Sequence, residues 1–473
     1  MVKGLFLFTI LSTWYQVTPV ARLAFVLGFV MTRDGGPEPP INITIMTKIL
    51  SDIVSECDVD QPFQLCYIPK KEGCIAGRHP HCRTFCRHDS PKPLEDKRKT
   101  TLDIIVWAHG NRNAMSMKPA VLVTGSSGHL GKALMLSLPE LGYNPIGIDI
   151  NSSNTTTHIG SITDPSFLSN VFSSYNIAHV IHAATLHKPH ICSHSKAEFV
   201  QTNIAGTLAL LEVASSSPNP SSPVKSFIYI STTSAFGTSL SPPEGSPAAW
   251  INDDTPTTSH KNIYGLTKST AEDLCQLIAK EKGLPTVVLR TSRFFPEEDD
   301  DEARRAEVPD EENLKVLELA YRRVDVADVV SACVCAMERC AEGTIRWGKF
   351  IVSAPTPFGR EDLDALSKDA EGVLRGLRVG VGVKVGEVFD LKRWKFLRRI
   401  DRVYDSSRAI RELGWRPEYT FERAVEKVAK GEEWKSELTR RIGRLGYHAV
   451  SVGVYTKRDD KEGGSGQHGA PLA

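Results

Sequence analysis

Tyr264 and Lys268 stand four residues apart in the segment "IYGLTKSTAEDLCQLIAKEK". On a helix that spacing stacks both side chains on one face. A free phenol titrates near about 10, too high for a base at neutral pH. A neighbouring ammonium favours the phenolate, so a Tyr–Lys pair can exchange a proton with an alcohol. Such pairs are common on helices, and the signal gains weight only from its company. The apolar run "FIYIS" ends in Ser231, Thr232, Thr233 and Ser234. That hydroxyl cluster is suited either to capping a turn or to holding a reacting oxygen beside Tyr264.

A second constellation supplies the other half of such a reaction. "VLVTGSSGHLGKAL" places Gly125, Gly128 and Gly131 directly after an apolar strand and at the start of a helical pattern. Glycines there allow a tight turn and close approach of backbone to a pyrophosphate, which the helix N-terminus attracts. Ser126, Ser127, His129 and Leu130 fill the same turn. A purely structural Gly-rich turn is the competing reading. The next apolar run, "IGID", ends in Asp149. A carboxylate at that place accepts hydrogen bonds from ribose hydroxyls and repels a 2′-phosphate, which favours NAD over NADP. Otherwise Asp149 is a strand cap.

These residues need rigid supports. From Lys118 onward, apolar strands ("AVLVTG", "NPIGIDI", "AHVIHAA", "KSFIYIS", "PTVVLRT", "GKFIVSA") alternate with helical periodicity, as in "KAEFVQTNIAGTLALLEVA". Near-continuous apolar strands alternating with helices imply an α/β protein with a parallel sheet covered on both faces. Open sheets of this kind place ligands at the carboxyl ends of their strands.

With these pieces in order, residues 118–430 resemble the NAD-dependent epimerase/dehydratase branch of the extended short-chain dehydrogenase/reductase superfamily. The motifs are "TGSSGHLG", "GIDI", "VIHAAT", "NIAGT", "STTSAFG", "YGLTK", "VDVADVV" and "RAIRELGWRP". The resemblance implies a Rossmann-type doubly wound parallel sheet with a smaller C-terminal substrate-binding part. It further implies that Gly125, Gly128 and Gly131 line the pyrophosphate, Asp149 binds the adenosine ribose, and Ala183 and Ala184 flank the cofactor. Asn203 would pack behind it. Thr232 would be the catalytic hydroxyl, Tyr264 the acid/base, and Lys268 the ligand of the nicotinamide ribose. The implied reaction is reversible hydride transfer between bound NAD and a sugar or nucleotide-sugar hydroxyl. A dehydrogenase acting on a non-sugar alcohol or ketone, steroid-like or flavonol-like, and a non-catalytic NAD-binding regulator are the alternatives.

The chain departs from relatives in two places. Ser161 stands where relatives often carry an acid contacting adenine; Asp164 either replaces it or caps the following helix. Arg293, in "LRTSRFFPEEDDDEARR", stands where nucleotide-sugar relatives carry an asparagine, and the segment from there to "VDVADVV" is short. Arg293, with Thr233 and Ser234, is therefore expected to touch substrate, clamping a carboxylate or phosphate. The competing expectation is that it pairs with the acids Glu297–Glu302. That run lacks the interspersed glycines of calcium loops. It reads as a solvated or Arg-paired loop, with Arg304, Arg305, Arg322 and Arg323 as partners, and no metal is expected.

The 473 residues carry a formal net charge of +1, which removes any global electrostatic case for nucleic acid. The organisation expected is a weakly ordered extension over 1–115, a dinucleotide-binding domain over 118–292, a substrate region over 293–445 interleaved with the last sheet elements, and a disordered tail over 456–473. In the extension, apolar runs within residues 1–31 are too short and interrupted for a spanning helix. They leave a signal or anchor as the lesser reading beside a cytoplasmic protein, and are the sole candidates for membrane association. The cysteines and histidines of the Cys57–Cys86 region lack paired C-x-x-C spacing. The scattered cysteines from Cys192 to Cys340 read as small buried hydrophobes. The expected partner is a small-molecule substrate, with a homodimer by analogy.

Overall fold

The computed structural model describes residues 119–446, apart from 217–221, 295, 298 and 300. The expectations for residues 1–115, including the Cys57–Cys86 region, and for the 456–473 tail lie outside the described residues. In chain order, the strands are β1 Ala120–Thr124, β2 Asn144–Asp149, β3 His158–Ile159, β4 Ile177–His182, β5 Ser226–Thr232, β6 Ala249–Ile251, β7 Thr286–Thr291, β8 Trp347–Val352, β9 Arg378–Val379, β10 Val383–Lys384 and β11 Arg402–Tyr404. The helices used below are α1 His129–Ser137, α2 Pro165–Ser174, α3 Lys196–Val200, α4 Gly206–Ser215, α5 Ile263–Lys282, α6 Glu302–Glu307, α7 Glu311–Leu319 and α8 Val326–Ala341.

Seven strands form one parallel sheet in the order β3-β2-β1-β4-β5-β7-β8. The order runs outward in both directions from β1 and β4, so the two halves of the sheet part at the β1/β4 boundary, where a parallel sheet opens its ligand crevice. Every residue of β4, β5 and β7 is buried, as expected for strands covered on both faces. Alternate residues feed two cores. Val121, Ile181, Ile228 and Leu289 pack toward α1 and α8, whereas Leu122, Val180, Tyr229 and Val288 pack toward α2, α4 and α5. The apolar positions Val329, Cys333, Ala336, Met337 and Cys340 put the buried stripe of α8 on the first of these cores.

A third core, with Leu317, Phe358, Phe389, Phe421, Val425 and Trp434, belongs to a smaller lobe. Its link to the sheet is β11, which pairs in parallel with β6, Arg402 opposite Ala249. A second link is a backbone clamp after β7: Arg293 N–H donates to Arg322 O and Val324 N–H to Arg293 O.

The helical pattern expected over 196–214 is interrupted. Between α3 and α4 the turn Gln201–Ala205 widens to a π-helix, a feature frequent at functional sites. Asp164 acts as the N-cap of α2, its Oδ1 accepting from Ser166 N and Phe167 N at 2.9 and 3.1 Å, which settles the capping alternative for that residue. Cys275, Cys333 and Cys340 are buried as expected, but Cys192 is exposed. No helix among the described residues is long and apolar enough to cross a membrane.

Candidate active site

A cleft of about 1170 Å³ runs along the carboxyl ends of β1, β2, β4 and β5. It exceeds the ~300–1,000 Å³ of an ordinary small-molecule pocket, as a dinucleotide plus substrate requires. One end is built from the Gly-rich turn. Gly125 takes φ +71°, a conformation open to glycine, and a Cβ there would lie 2.8 Å from the Ala184 backbone. A Cβ on Gly131 would overlap the Gly125 carbonyl, so α1 packs directly on the turn. Gly128 begins α1 with no side-chain cap, so the helix N-terminus faces the cleft without a competing anion from its own cap. The turn therefore fits a diphosphate.

Asp149 lines the same end. Its Oδ2 accepts from Ser127 N at 3.0 Å and its Oδ1 from Asn151 N at 2.9 Å, so it both braces the turn and leaves lone pairs for a ribose. Ser126, by contrast, is buried behind the turn and donates to Thr156 Oγ1.

Ala183 and Ala184 form the floor where β4 leaves the sheet. Beneath them lies a buried polar chain. Thr124 Oγ1 sits 2.7 Å from His182 Nδ1, His182 Nε2 sits 2.9 Å from Thr207 Oγ1, and Ala184 N–H donates to Thr124 Oγ1. Burial, with the Lys268 ammonium as a smaller cause, pushes His182 down to about 3, so it is neutral. Asn203 sits on the π turn and is fully engaged. It accepts from Leu186 N and Thr185 Oγ1 and donates to Leu186 O and Thr267 Oγ1. It ties the loop after β4 to α5 one residue before Lys268.

Tyr264 and Thr232 meet at the cleft wall. Asn262 caps α5, its Oδ1 accepting from Gly265 N at 2.9 Å, which starts the helix just before Tyr264. Tyr264 hydrogen-bonds the Thr232 side chain. Thr232 Oγ1 also accepts from Ser234 N, so the hydroxyl cluster caps a turn and faces the site at once. Thr233 and Ser234 line the cleft, whereas Ser231 turns away and donates to Glu272 at 2.5 Å.

The electrostatics differ from expectation. Burial pushes the Tyr264 phenol up to about 12, the Thr232 hydrogen bond alone opposing it. The expected lowering by Lys268 does not occur in this structure. Lys268 is itself fully buried, with its Nζ 4.0 Å from the centroid of the Tyr229 ring. Burial pushes its ammonium down to about 7. Desolvation is the largest cause on both groups.

Arg293 lines the cleft, yet its guanidinium lies 3.3 Å from Asp299. Asp299 is buried and also takes Arg304 at 2.9 Å and Arg322 at 2.7 Å, with Arg305 on its backbone carbonyl. The acidic run is thus Arg-paired; Glu297 and Asp299 are buried, whereas Asp301 is half-buried and Glu302 exposed. Arg323 pairs with Glu318. Glu297 reaches His129 in the Gly-rich turn at 2.9 Å and accepts from Leu445 N and Gly446 N. It thereby fastens residues 445–446, which line the cleft, to the start of α1. No group of His, Cys, Asp and Glu suited to a metal occurs among the described residues.

Three features had no counterpart in the sequence reading. His187, after β4, sits edge-on to Tyr264 with ring centroids 6.5 Å apart. The His182 chain and the Arg402–Tyr404 wall are the others; the run "VIHAATLHKPH" carried a signal for the histidines in its polar residues at a strand end.

Residues 121–346 match the model of the "NAD dependent epimerase/dehydratase family". A UDP-glucose 4-epimerase of Erwinia amylovora is 28% identical over 187 residues, 36% of this chain and 52% of that protein. A dTDP-D-glucose 4,6-dehydratase of Dictyostelium discoideum is 27% identical over 194 residues, 37% of this chain and 44% of that one. The chain therefore spans about half the length of these curated relatives. A solved UDP-glucose 4-epimerase of Thermotoga maritima with UDP-glucose aligns at 22% identity and a TM-score of 0.45, over 66% of this chain and 97% of that one. The match to the NAD dependent epimerase/dehydratase family thus covers residues 121–346, just under half of the chain.

Proposed function

We propose that the cleft binds NAD and transfers hydride reversibly between its nicotinamide and a hydroxyl-bearing carbon of a sugar-like substrate, in the manner of an epimerase. The observation that carries this is the Tyr264–Thr232 contact at the wall of the cleft whose other end is the Gly125–Gly131 turn. NAD would lie with its diphosphate on Gly125, Ser127, Gly128, His129, Leu130 and Gly131. Its adenosine ribose would meet Asp149, whose negative charge disfavours a 2′-phosphate. Ala183 and Ala184 would flank it, and Lys268 would hold the nicotinamide ribose. When bound, the cofactor supplies the hydride acceptor.

The chain's own part is proton management. Tyr264 accepts the hydroxyl proton as the substrate is oxidised and returns it on reduction. Thr232 donates to the developing phenolate, the state its hydrogen bond favours. Asn203 holds the 185–186 loop against α5, which keeps Lys268 and the cofactor floor in register.

Elimination of water would require a second acid and base. The cleft-lining carboxylates among the described residues are Asp149 and Glu198. Each is engaged by backbone N–H groups, of Ser127 and Asn151 and of Ser195. This supports oxidation and return of hydride over dehydration. Protein purified without added cofactor is expected to hold NAD and to interconvert epimers with no net NADH. Purification free of any dinucleotide, with obligatory release of NADH, would instead point to a dehydrogenase.

A further inference from the structure

One turn beyond Lys268 on α5 stands Glu272, so Tyr264, Lys268 and Glu272 recur at every fourth residue along one face. Glu272 is fully buried, and Arg290 on β7 is buried against it. Arg290 holds the carboxylate in a fork, Nε to Oε1 at 3.0 Å and Nη2 to Oε2 at 2.6 Å. Ser231 Oγ donates to the same Oε1 at 2.5 Å, and Lys349 on β8 brings its Nζ within 3.3 Å of Oε2. The Phe236 ring backs the Arg290 guanidinium, its centroid 4.4 Å from Cζ. Three strands, β5, β7 and β8, thereby fix one carboxylate, and β5 delivers Thr232 directly after Ser231. Exchanging a buried ion pair for apolar residues is often neutral for stability, so this one, set beside the site, calls for a local reason.

The surroundings of Lys268 supply it. The titratable groups around that side chain are Tyr264, Glu272 and Cys275 on its own helix, Tyr229 on β5 and His182 on β4. Burial pushes Tyr264 up to about 12 and carries Tyr229 and Cys275 well above their ordinary values. Burial, with Lys268 itself, pushes His182 down to about 3. All four are therefore uncharged near neutrality. Glu272 is not. Burial works to raise its carboxyl, but the Arg290 hydrogen bonds and charge, Lys349 and Ser231 together hold it below its ordinary value. It is the ionised group of opposite sign, among the described residues, that counters the downward push of burial on Lys268. Further out, Asp253 after β6 bears on Arg290, and the exposed Asp273 sits 3.5 Å from Lys349.

We propose that Glu272 is a positioning residue of the site: from one helical turn away, its carboxylate, fixed by Arg290 and Ser231, keeps the Lys268 side chain charged for its contact with the cofactor. This rests on reading Lys268 as the ligand of the nicotinamide ribose.

The test follows the titration of Lys268 by NMR in the full chain carrying isotopically labelled lysine, with NAD affinity measured across the same pH series by equilibrium dialysis. Lys268→Met identifies the Lys268 resonance. The parent midpoint is expected near about 7. In E272Q, loss of the opposing charge should lower that midpoint by about one pH unit or more, and E272D, which keeps the charge, should recover most of it. K349M removes a cation that partly neutralises Glu272, so the midpoint should move the other way, upward by roughly a few tenths of a unit. Because the ammonium favours NAD, the pH above which NAD binding weakens should follow the Lys268 midpoint in each variant. A midpoint that stays put in both E272Q and K349M, or moves in the same direction in both, overturns the proposal. Where E272Q does not fold, an unmoved or lowered midpoint in K349M overturns it alone. Midpoints that move as stated while NAD affinity ignores them support the role of Glu272 and contradict the cofactor reading of Lys268.

Discussion

The two ends of the cleft are built by different means. The cofactor end is made of backbone: a turn in which Gly125 needs a positive φ and Gly131 has no room for a Cβ, closed by the N-terminus of α1. The substrate end is made of side chains gathered from distant segments, with Arg402 and Tyr404 from β11, Arg293 after β7 and His187 after β4. A backbone site is specified by a few adjacent residues and tolerates almost no change at them. A side-chain site is specified by the tertiary fold and can be altered one group at a time.

That contrast orders the expected effects of substitution. Gly131→Ala should be the most severe, because the new methyl collides with fixed backbone. NAD affinity is expected to fall by about a hundredfold or more, measured by equilibrium dialysis, with overpacking strain of about 1–3 kcal/mol in thermal unfolding. Near-normal NAD binding would show that the turn is less rigid than its geometry implies. Lys268→Met should come next. The parent Lys268 amine takes up a proton as pH falls through about 7, and the charged ammonium favours the anionic cofactor. NAD should therefore bind more tightly at about pH 6 than at about pH 8 in the parent, and this dependence should vanish in Lys268→Met. A persisting pH dependence would locate the titrating group elsewhere.

Asp149→Ala should be milder still, shifting the NAD/NADP affinity ratio toward NADP by about tenfold through loss of one repulsive charge. An unchanged ratio would contradict its ribose role. Arg293→Ala is expected to change substrate affinity least, about threefold or less, because its guanidinium is shared with Asp299. A loss of about a hundredfold would return the substrate-clamp role to Arg293.

The same division explains what was legible in the sequence. The Gly turn, Asp149, and the Tyr264–Lys268 spacing are short-range patterns tied to one strand end or one helix face, and the structure brings Thr232 to Tyr264 as the order of motifs implied. The sheet strands were legible because burial on both faces leaves continuous apolar runs. The β6–β11 pair was not, since each strand is three residues long and paired residues such as Ala249 and Arg402 lie far apart in sequence. The π turn left no pattern, as one extra residue per turn barely disturbs helical periodicity. Burial also reversed the electrostatic expectation at Tyr264 and Lys268, because desolvation depends on surroundings that spacing does not describe. The arginine pairing of the acidic run was legible for its partners, whereas the burial of Asp299 was not, because the arginines around it lie on either side of it in sequence.

The most direct test of the account is stopped-flow absorbance of the NAD-loaded protein mixed with a sugar-like alcohol that it binds, for the parent and Tyr264→Phe. The account predicts a transient rise and decay of NADH absorbance in the parent. In Tyr264→Phe, with cofactor and ligand still bound, it predicts a rate lower by about a thousandfold. An undiminished NADH transient in Tyr264→Phe would contradict it.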